Sequence, residues 1–250
     1  MAYGGIVRFS EVLKTASSQP SLKDGCFVDT SILFAASYPP DEFNTEAEEV
    51  FDFLTELEIP VFTNVNVRSE FIDLHRRVMI PDGLGDLYTA YGKSLDGPLY
   101  AKLQSINTSL TTARNTGKPF KLDERQIKEW RHVLHSRQLK GKNGWLQFCA
   151  DFLQNRIEAI WDKTCDELGV NFFSLRNTDQ SDWLAGELKW EDMASIVGRF
   201  GVGSFDAMII NLFINSKFSM MVTADRDLVY VIEALKPERK FVCIPDRLTL

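Results

Sequence analysis

The chain has 250 residues, of which 44% are hydrophobic and 25% are charged. This composition is typical of a globular protein with one large α/β domain or two smaller ones, and it excludes a disordered chain. The net charge of -7 argues against a protein that coats nucleic acid by bulk attraction, but it is compatible with a local basic surface.

The N-terminal residues lack a basic segment followed by an apolar core, and no apolar run approaches the ~20 residues of a membrane helix. The four cysteines form no C-x-x-C pair, which is typical of reduced thiols in a cytoplasmic protein. We therefore expect a cytoplasmic protein that has no membrane partner.

In the first part of the chain, short apolar runs alternate with helical patterns. A short helix is predicted over residues 9–17, and a buried strand then ends at Val28, with a helical turn or two after it. An amphipathic helix is predicted from Thr45, a second strand over residues 59–63, and another helix from about Val67. Strand, helix, strand, helix in this order predicts a parallel sheet.

The middle of the chain interrupts this pattern. Residues 76–167 contain no convincing strand pattern, and turn-rich sequence at residues 81–83 and 96–98 accompanies helices predicted over 99–110, 123–139 and 143–168. We interpret residues 76–169 as a mostly helical insertion.

The segment from Arg114 to Lys142 has nine Lys or Arg residues against three acidic residues, so its local net charge is +6. Two interpretations stay open, because a basic segment is either a solvated helix face or a surface that contacts phosphates. In the second interpretation the substrate-binding residues are Lys121, Arg125, Lys128 and Arg131.

The alternating pattern resumes with a predicted strand over residues 170–175. Two helices follow, over residues 193–200 and from Gly203 to about 214, and the second is almost entirely apolar and therefore buried. A strand at 218–222, a helix to 235 and a strand at 240–244 complete the chain. The α/β core is thus predicted to be discontinuous, formed by residues 1–75 and 170–250.

Tryptophans occur five times, at positions that we interpret as helical. Tryptophan at such positions is more often part of a core than a platform on which bases stack. We therefore predict core positions for Trp130, Trp145, Trp161, Trp183 and Trp190.

Acidic residues follow two of the predicted strands, at Asp29 and Asp225. Because parallel strands place their carboxyl ends at one edge of the sheet, these carboxylates converge if their strands are neighbours. Glu70 lies early in the helix after the second strand, and Asp206 opens the buried helix, so both are placed to point into the same crevice. Taken singly, each of the three aspartates also fits a helix N-cap, and Glu70 fits a solvated helix position.

Several carboxylates in one cleft repel one another, and a divalent cation allows them to remain ionised. Ligands that are all oxygen atoms favour Mg²⁺ or Mn²⁺ over zinc. Such a centre activates water and neutralises charge on a phosphodiester. Together the acidic residues therefore point to metal-assisted chemistry on phosphodiesters.

Four blocks carry a resemblance to a known family: Val28-Asp29-Thr30-Ser31, Glu70, Ser204-Phe205-Asp206-Ala207 and the run from Val222 to Leu228. Together, in this order, they resemble the PIN-domain nucleases over residues 1–75 and 170–250. The resemblance implies a three-layer α/β/α fold with a parallel sheet, interrupted here by the helical insertion. It further implies that Asp29, Glu70, Asp206 and Asp225 are catalytic and hold Mg²⁺ or Mn²⁺. Asp227 would be a further metal-binding residue, and Thr30, Ser31 and Thr223 would be the supporting hydroxyl residues.

The activity implied by the resemblance is that of a metal-dependent endoribonuclease acting on single-stranded or structured RNA. Family members of minimal size have a much shorter path from the second acidic residue to the third, so the substrate does not carry over. The alternatives are a non-catalytic PIN-like module that binds nucleic acid or protein, a toxin-like nuclease with an antitoxin-like partner, and a DNA nuclease. A homodimer is a further assembly compatible with the sequence.

Overall fold

The structure is a computed structural model that describes residues 4–15, 22, 24–173 and 182–250. The chain divides into two compact units: unit 1 combines Met1–Phe71 with Thr164–Leu250, and unit 2 comprises Ile72–Lys163. The boundaries predicted from the sequence, after residues 75 and 169, lie a few residues C-terminal to these observed boundaries. No helix in the described ranges is both long and apolar enough to cross a membrane.

Unit 1 is built on a six-stranded sheet in which every neighbouring pair is parallel, so the predicted α/β class with a parallel sheet is confirmed. In chain order the strands of the molecule are β1 (Gly5–Arg8), β2 (Cys26–Val28), β3 (Val61–Asn64), β4 (Gln138–Leu139), β5 (Lys142–Asn143), β6 (Val170–Phe173), β7 (Met220–Val222) and β8 (Phe241–Ile244). The order in the large sheet is β1-β8-β7-β2-β3-β6.

The central strands are short apolar runs whose side chains are buried on both faces. Cys26, Phe27 and Val28 of β2 have no exposed surface, and the three residues of β7 are at most 1% exposed. Strands buried on both faces are continuous hydrophobic runs rather than alternating ones, and this explains why they could be recognised in the sequence.

Helices connect the strands and account for most of unit 2. In chain order they are α1 (Phe9–Thr15), α2 (Thr30–Ser37), α3 (Asn44–Glu56), α4 (Val65–Tyr91), α5 (Gly97–Thr116), α6 (Glu124–His135), α7 (Gly144–Phe152), α8 (Gln154–Leu168), α9 (Trp190–Phe200), α10 (Ser204–Asn215) and α11 (Arg226–Leu235). Residues 16–17 of the first predicted helix and 174–175 of the third predicted strand lie outside the described residues.

The turn predicted at residues 81–83 is wrong, because α4 continues through Pro81 to Tyr91. Ile80, Leu84 and Leu87 are each at most 1% exposed in the core of unit 2, and this packing outweighs the local preference of Pro-Asp-Gly for a turn. Gly83 belongs to the same packing, since a Cβ there would lie 3.2 Å from the Phe148 ring.

Two further predictions for the insertion are wrong. It contains strands, because β4 and β5 pair as an antiparallel hairpin whose turn residues, Lys140 and Gly141, both have positive φ angles. The helix predicted over residues 143–168 is two helices, α7 and α8, which are separated at Leu153.

Candidate functional site

The end of β2 and the end of β7 lie side by side at the carboxyl edge of the sheet. Val28 pairs with Val222, and the Asp29 backbone N–H donates to the Val222 carbonyl at 3.0 Å. Asp29 therefore leaves β2 beside Thr223, which follows β7. Asp29 is only 3% exposed and Thr223 is fully buried.

Hydroxyl groups hold the Asp29 carboxylate in place. Its Oδ2 accepts hydrogen bonds from Ser31 Oγ at 2.8 Å, from Thr223 Oγ1 at 2.9 Å and from the Ser31 backbone N–H at 3.3 Å. The same hydroxyls accept from the backbone N–H groups of Ala224 and Asp225, each at 2.9 Å. Oδ2 therefore accepts every hydrogen bond that a described residue donates to this carboxylate. Oδ1 is left for another partner.

Asp225 directly precedes α11, as Asp29 directly precedes α2. Its Oδ1 accepts from the backbone N–H groups of Asp227 at 2.7 Å and Leu228 at 3.3 Å. Both aspartates are thus helix N-caps, as each fits when taken singly. The cap uses one oxygen of each carboxylate, so capping and a second role are compatible.

Glu70, in α4, lies against the residue that follows Asp29. Thr30 Oγ1 donates to Glu70 Oε2 at 2.8 Å, and Thr30 is only 2% exposed. The three predicted supporting residues, Thr30, Ser31 and Thr223, therefore each donate a hydrogen bond to one of the predicted acidic residues.

Asp206 lies in the first turn of α10, and the geometry of Gly203 leaves room for it. Gly203 is the N-cap of this helix, and a Cβ on it would lie 3.0 Å from Asp206 Oδ2. Any side chain at position 203 would therefore press against this carboxylate.

Burial and neighbouring negative charge raise the pKa of Asp29 to about 7. Loss of hydration on burial is the largest cause; the hydrogen bond from Ser31 opposes it, the charges of Glu70 and Asp225 add to it, and the Thr223 hydroxyl opposes it more weakly.

The pKa of Asp206 is raised to about 6, again first by burial and then by the charges of Asp225, Glu70 and, least, Asp227. The backbone N–H of Gly203 opposes this rise. Electrostatic interaction thus connects all five predicted acidic residues, although they come from four distant segments of the chain. None of the ion pairs among the described residues involves any of them.

Within the described part of the chain, no three His, Cys, Asp or Glu side chains are close enough together to form a ready-made metal site. The chemistry of the acidic residues nevertheless fits Mg²⁺ or Mn²⁺, because every donor is a carboxylate or hydroxyl oxygen and no described residue forms an ion pair with these carboxylates. The acidic residues therefore match these ions in their charge and in the type of their donor atoms.

The predicted substrate-binding residues belong to unit 2, whereas the acidic residues belong to unit 1. Lys121 precedes α6, and Arg125, Lys128 and Arg131 lie on its exposed face. Arg125 pairs with Glu129 at 3.2 Å. An exposed face of this kind is compatible with both interpretations of the basic segment, which remain open.

Sequence reasoning missed Asn64, at the end of β3 beside β2. Asn64 is fully buried, and its Oδ1 caps α4 by accepting from the N–H groups of Asn66 and Val67, each at 3.1 Å. Its Nδ2 has no hydrogen-bond partner among the described residues. The one signal in the sequence was an asparagine between an apolar run and a helix.

Trp190 was also misjudged. Trp130 and Trp161 are buried, at 3% and 5% exposed, but Trp190 is 66% exposed at the first residue of α9. The core position predicted for Trp190 is therefore wrong. A tryptophan at the start of a helix has a helical neighbour on one side only, so periodicity does not determine its burial.

Comparison of the chain with models of known protein families, with curated proteins and with solved structures gives no match. The chemistry of unit 1 therefore carries the functional conclusion. That chemistry consists of a nearly buried carboxylate, three hydroxyl donors and further carboxylates that pair with no cationic side chain in the described part of the chain, near the carboxyl edge of a parallel sheet.

Proposed function

We propose that the chain is a metal-dependent endoribonuclease whose unit 1 is a three-layer, PIN-like α/β/α core. The observation that carries this proposal is the geometry at the ends of β2 and β7: Asp29 accepts the Ser31 and Thr223 hydroxyls, and Thr30 donates to Glu70. None of the carboxylates of Asp29, Glu70, Asp206 and Asp225 has an ion-pair partner among the described residues. Strands buried on both faces support the three-layer arrangement, because parallel sheets are covered by helices on both sides.

In this proposal Asp29, Glu70, Asp206 and Asp225 hold Mg²⁺ or Mn²⁺, and Asp227 is a further ligand. When bound, the ion lowers the pKa of a water molecule and offsets the negative charge of the phosphodiester. Ser31 and Thr223 fix the Asp29 carboxylate through Oδ2, so Oδ1 would be the oxygen that holds the ion. Thr30 fixes Glu70 in the same way.

Helix capping explains part of this arrangement, but it does not explain the whole. Capping accounts for the backbone hydrogen bonds of Asp29 and Asp225. It gives no reason for Glu70 to lie near enough to raise the pKa of both Asp29 and Asp206, which costs stability. A bound cation removes that cost.

The decisive variant is Asp225→Asn, because asparagine is as good an N-cap as aspartate and the helix is retained. We expect cleavage of single-stranded RNA in Mn²⁺ or Mg²⁺ to fall by more than the ~100-fold that loss of an outer-shell partner of a metal ligand can cost. Asp123→Asn is the matched control, because Asp123 caps α6 through the Gln126 N–H at 2.7 Å in the other unit.

Equal cleavage by the wild type and Asp225→Asn would contradict the proposal. Absence of cleavage by the wild type, together with nucleic-acid binding, would favour the non-catalytic module instead. Digestion of DNA and RNA of the same sequence side by side checks the substrate, and faster cleavage of DNA would reassign it.

A further inference from the structure

A small apolar pocket lies in unit 1 where the start of α4, the start of α9 and the middle of α10 meet. Its volume is ≈ 240 Å³. The residues used below are Asn66, Leu188, Trp190, Met193, Met208 and Leu212. Pockets for drug-sized ligands measure ~300–1,000 Å³, so this one suits a single planar ring system.

The pocket combines the aromatic side chain of Trp190 with the side-chain amide of Asn66. Met193 and Leu212 are buried, at 4% and 2% exposed, whereas Trp190 is 66% exposed. The side-chain amide of the neighbouring Asn211 already has hydrogen-bond partners. Its Nδ2 donates to the Lys189 carbonyl at 3.2 Å, and its Oδ1 accepts from Asn215. The Asn66 side chain makes no hydrogen bond with any of the described residues, so its amide is available to a ligand.

Helix geometry places this pocket beside the acidic residues. Asn66 and Glu70 are four residues apart on α4, and side chains with this spacing are neighbours on one helix face, about 5–6 Å apart at Cβ. Met208 lies on α10, the helix whose first turn carries Asp206. Two of the helices that carry carboxylates thus also line the pocket.

We propose that this pocket holds one unpaired base of the RNA substrate, with the ring on Trp190 and the base edge against the Asn66 amide. An exposed aromatic ring with an adjacent hydrogen-bonding group is the combination that recognises unstacked bases. A base inside a duplex is paired and stacked and does not reach the pocket. This inference rests on the proposed nuclease function and narrows its substrate to single-stranded RNA.

Binding is tested in the Asp225→Asn background, so that the RNA remains intact, by fluorescence anisotropy with a labelled single strand and its duplex. We expect Trp190→Ala to weaken single-strand binding about tenfold. Trp190→Phe keeps a stacking ring and is expected to retain most of the affinity. Duplex binding is expected to be unchanged in both variants.

Leu146→Ala is the matched control, because Leu146 is also 66% exposed but lies in α7 of unit 2. Since the Trp190 side chain is mostly exposed, its truncation leaves no core cavity, and an unchanged urea midpoint confirms that the fold is intact. Single-strand affinity of Trp190→Ala equal to that of its parent would overturn the proposal and leave the pocket to another ligand. An equal loss on duplex RNA would overturn it as well.

Photo-crosslinking with RNA that contains 4-thiouridine separates this proposal from the nuclease proposal. A crosslink on the peptide that contains Trp190 supports the base pocket. If that crosslink forms but the wild type cleaves no RNA in Mg²⁺ or Mn²⁺, the nuclease proposal fails and the base pocket stands. If the wild type cleaves RNA and Trp190→Ala cleaves and binds it equally well, the base pocket fails alone.

Discussion

Asp29 combines a structural and a chemical role in one side chain. Its Oδ2 caps α2 and accepts the hydroxyls of Ser31 and Thr223, while burial and the charges of Glu70 and Asp225 disfavour ionisation. Ionising a carboxyl group that is buried beside other negative charges costs electrostatic free energy in the metal-free protein. That energy depends on pH, so it is measurable.

The sign of the pH effect follows from the direction of the pKa shift. The folded-state pKa of Asp29 is about 7 against an ordinary 3.8, so the folded protein binds more protons than the unfolded chain between these values. The free energy of unfolding therefore falls as pH rises across this window, by roughly 4 kcal/mol at 1.36 kcal/mol per pKa unit. Asp206, with a pKa of about 6, contributes in the same direction.

His75 contributes the opposite slope, because burial lowers its pKa to about 4. The difference between the wild type and Asp29→Asn isolates Asp29, so urea unfolding of both proteins in EDTA from pH 4 to 8 is the measurement. We expect the wild type to lose stability relative to Asp29→Asn as pH rises to 7. Parallel profiles would contradict the raised pKa, and Mn²⁺ at pH 8 is expected to stabilise the wild type more than the variant.

At the scale of elements, the loop between α9 and α10 sets the position of Asp206. Gly203 has φ -61° and ψ 155°, which any residue can adopt, so a substitution there tests contact and not backbone strain. In Gly203→Ser the new Cβ lies 3.0 Å from Asp206 Oδ2, while serine is at least as good an N-cap as glycine.

We expect Gly203→Ser to fold normally and to lose activity on the order of tenfold, less than the ~100-fold that a 1 Å misplacement can cost. Cleavage rates and calorimetric Mn²⁺ titration are the measurements. Gly198→Ala adds the same atom to α9 with nothing within 4 Å, and it should raise stability by up to about 1 kcal/mol without affecting activity. Unchanged Mn²⁺ affinity and activity in Gly203→Ser would argue against Asp206 as a ligand.

The elements that the sequence predicts well are those in which a buried strand ends in a polar residue. Val28-Asp29 and Val222-Thr223 stand out because apolar runs give way abruptly to polar residues at the sheet edge. The course of α4 through Pro81 was not predictable, since it depends on Ile80, Leu84 and Leu87 packing against residues distant in the chain. The β4–β5 hairpin was missed because its two-residue strands are too short to show any periodicity.

The acidic residues that cap helices were recognisable from local sequence, but the residues that complete their environment were not. Thr30 touches Glu70 across 40 positions of the chain, and Asn66 and Met208 line one pocket from different helices. Pairings of this kind depend on tertiary structure, and a single sequence has no local signal for them.

At the scale of the whole molecule, charge is divided between the units. The chain carries a net charge of -7, while residues 114–142 of unit 2 carry a local excess of positive charge. The buried face of α6, formed by Ile127, Trp130 and Leu134, leaves its basic residues exposed. If this face contacts RNA, each contact releases counterions, and the affinity then depends on salt.

The last prediction therefore concerns the exposed basic residues as a set, changed to Gln together: Lys121, Arg125, Lys128 and Arg131. For single strands the slope of log affinity against log salt changes by about 0.7 per phosphate contact, so four contacts predict a slope shallower by up to about 3. The measurement is binding of single-stranded RNA between 50 and 200 mM salt, the range over which such contacts typically lose affinity.

The control must carry the same change in net charge within unit 2 without touching this face. Four exposed residues of α5 changed to Glu provide it: Gln104, Thr108, Thr111 and Asn115. A shallower slope in the Gln variant alone identifies α6 as a phosphate-contacting surface, because long-range repulsion would flatten both variants equally. Wild-type slope in the Gln variant would identify the segment as a solvated helix face and would assign RNA binding to unit 1.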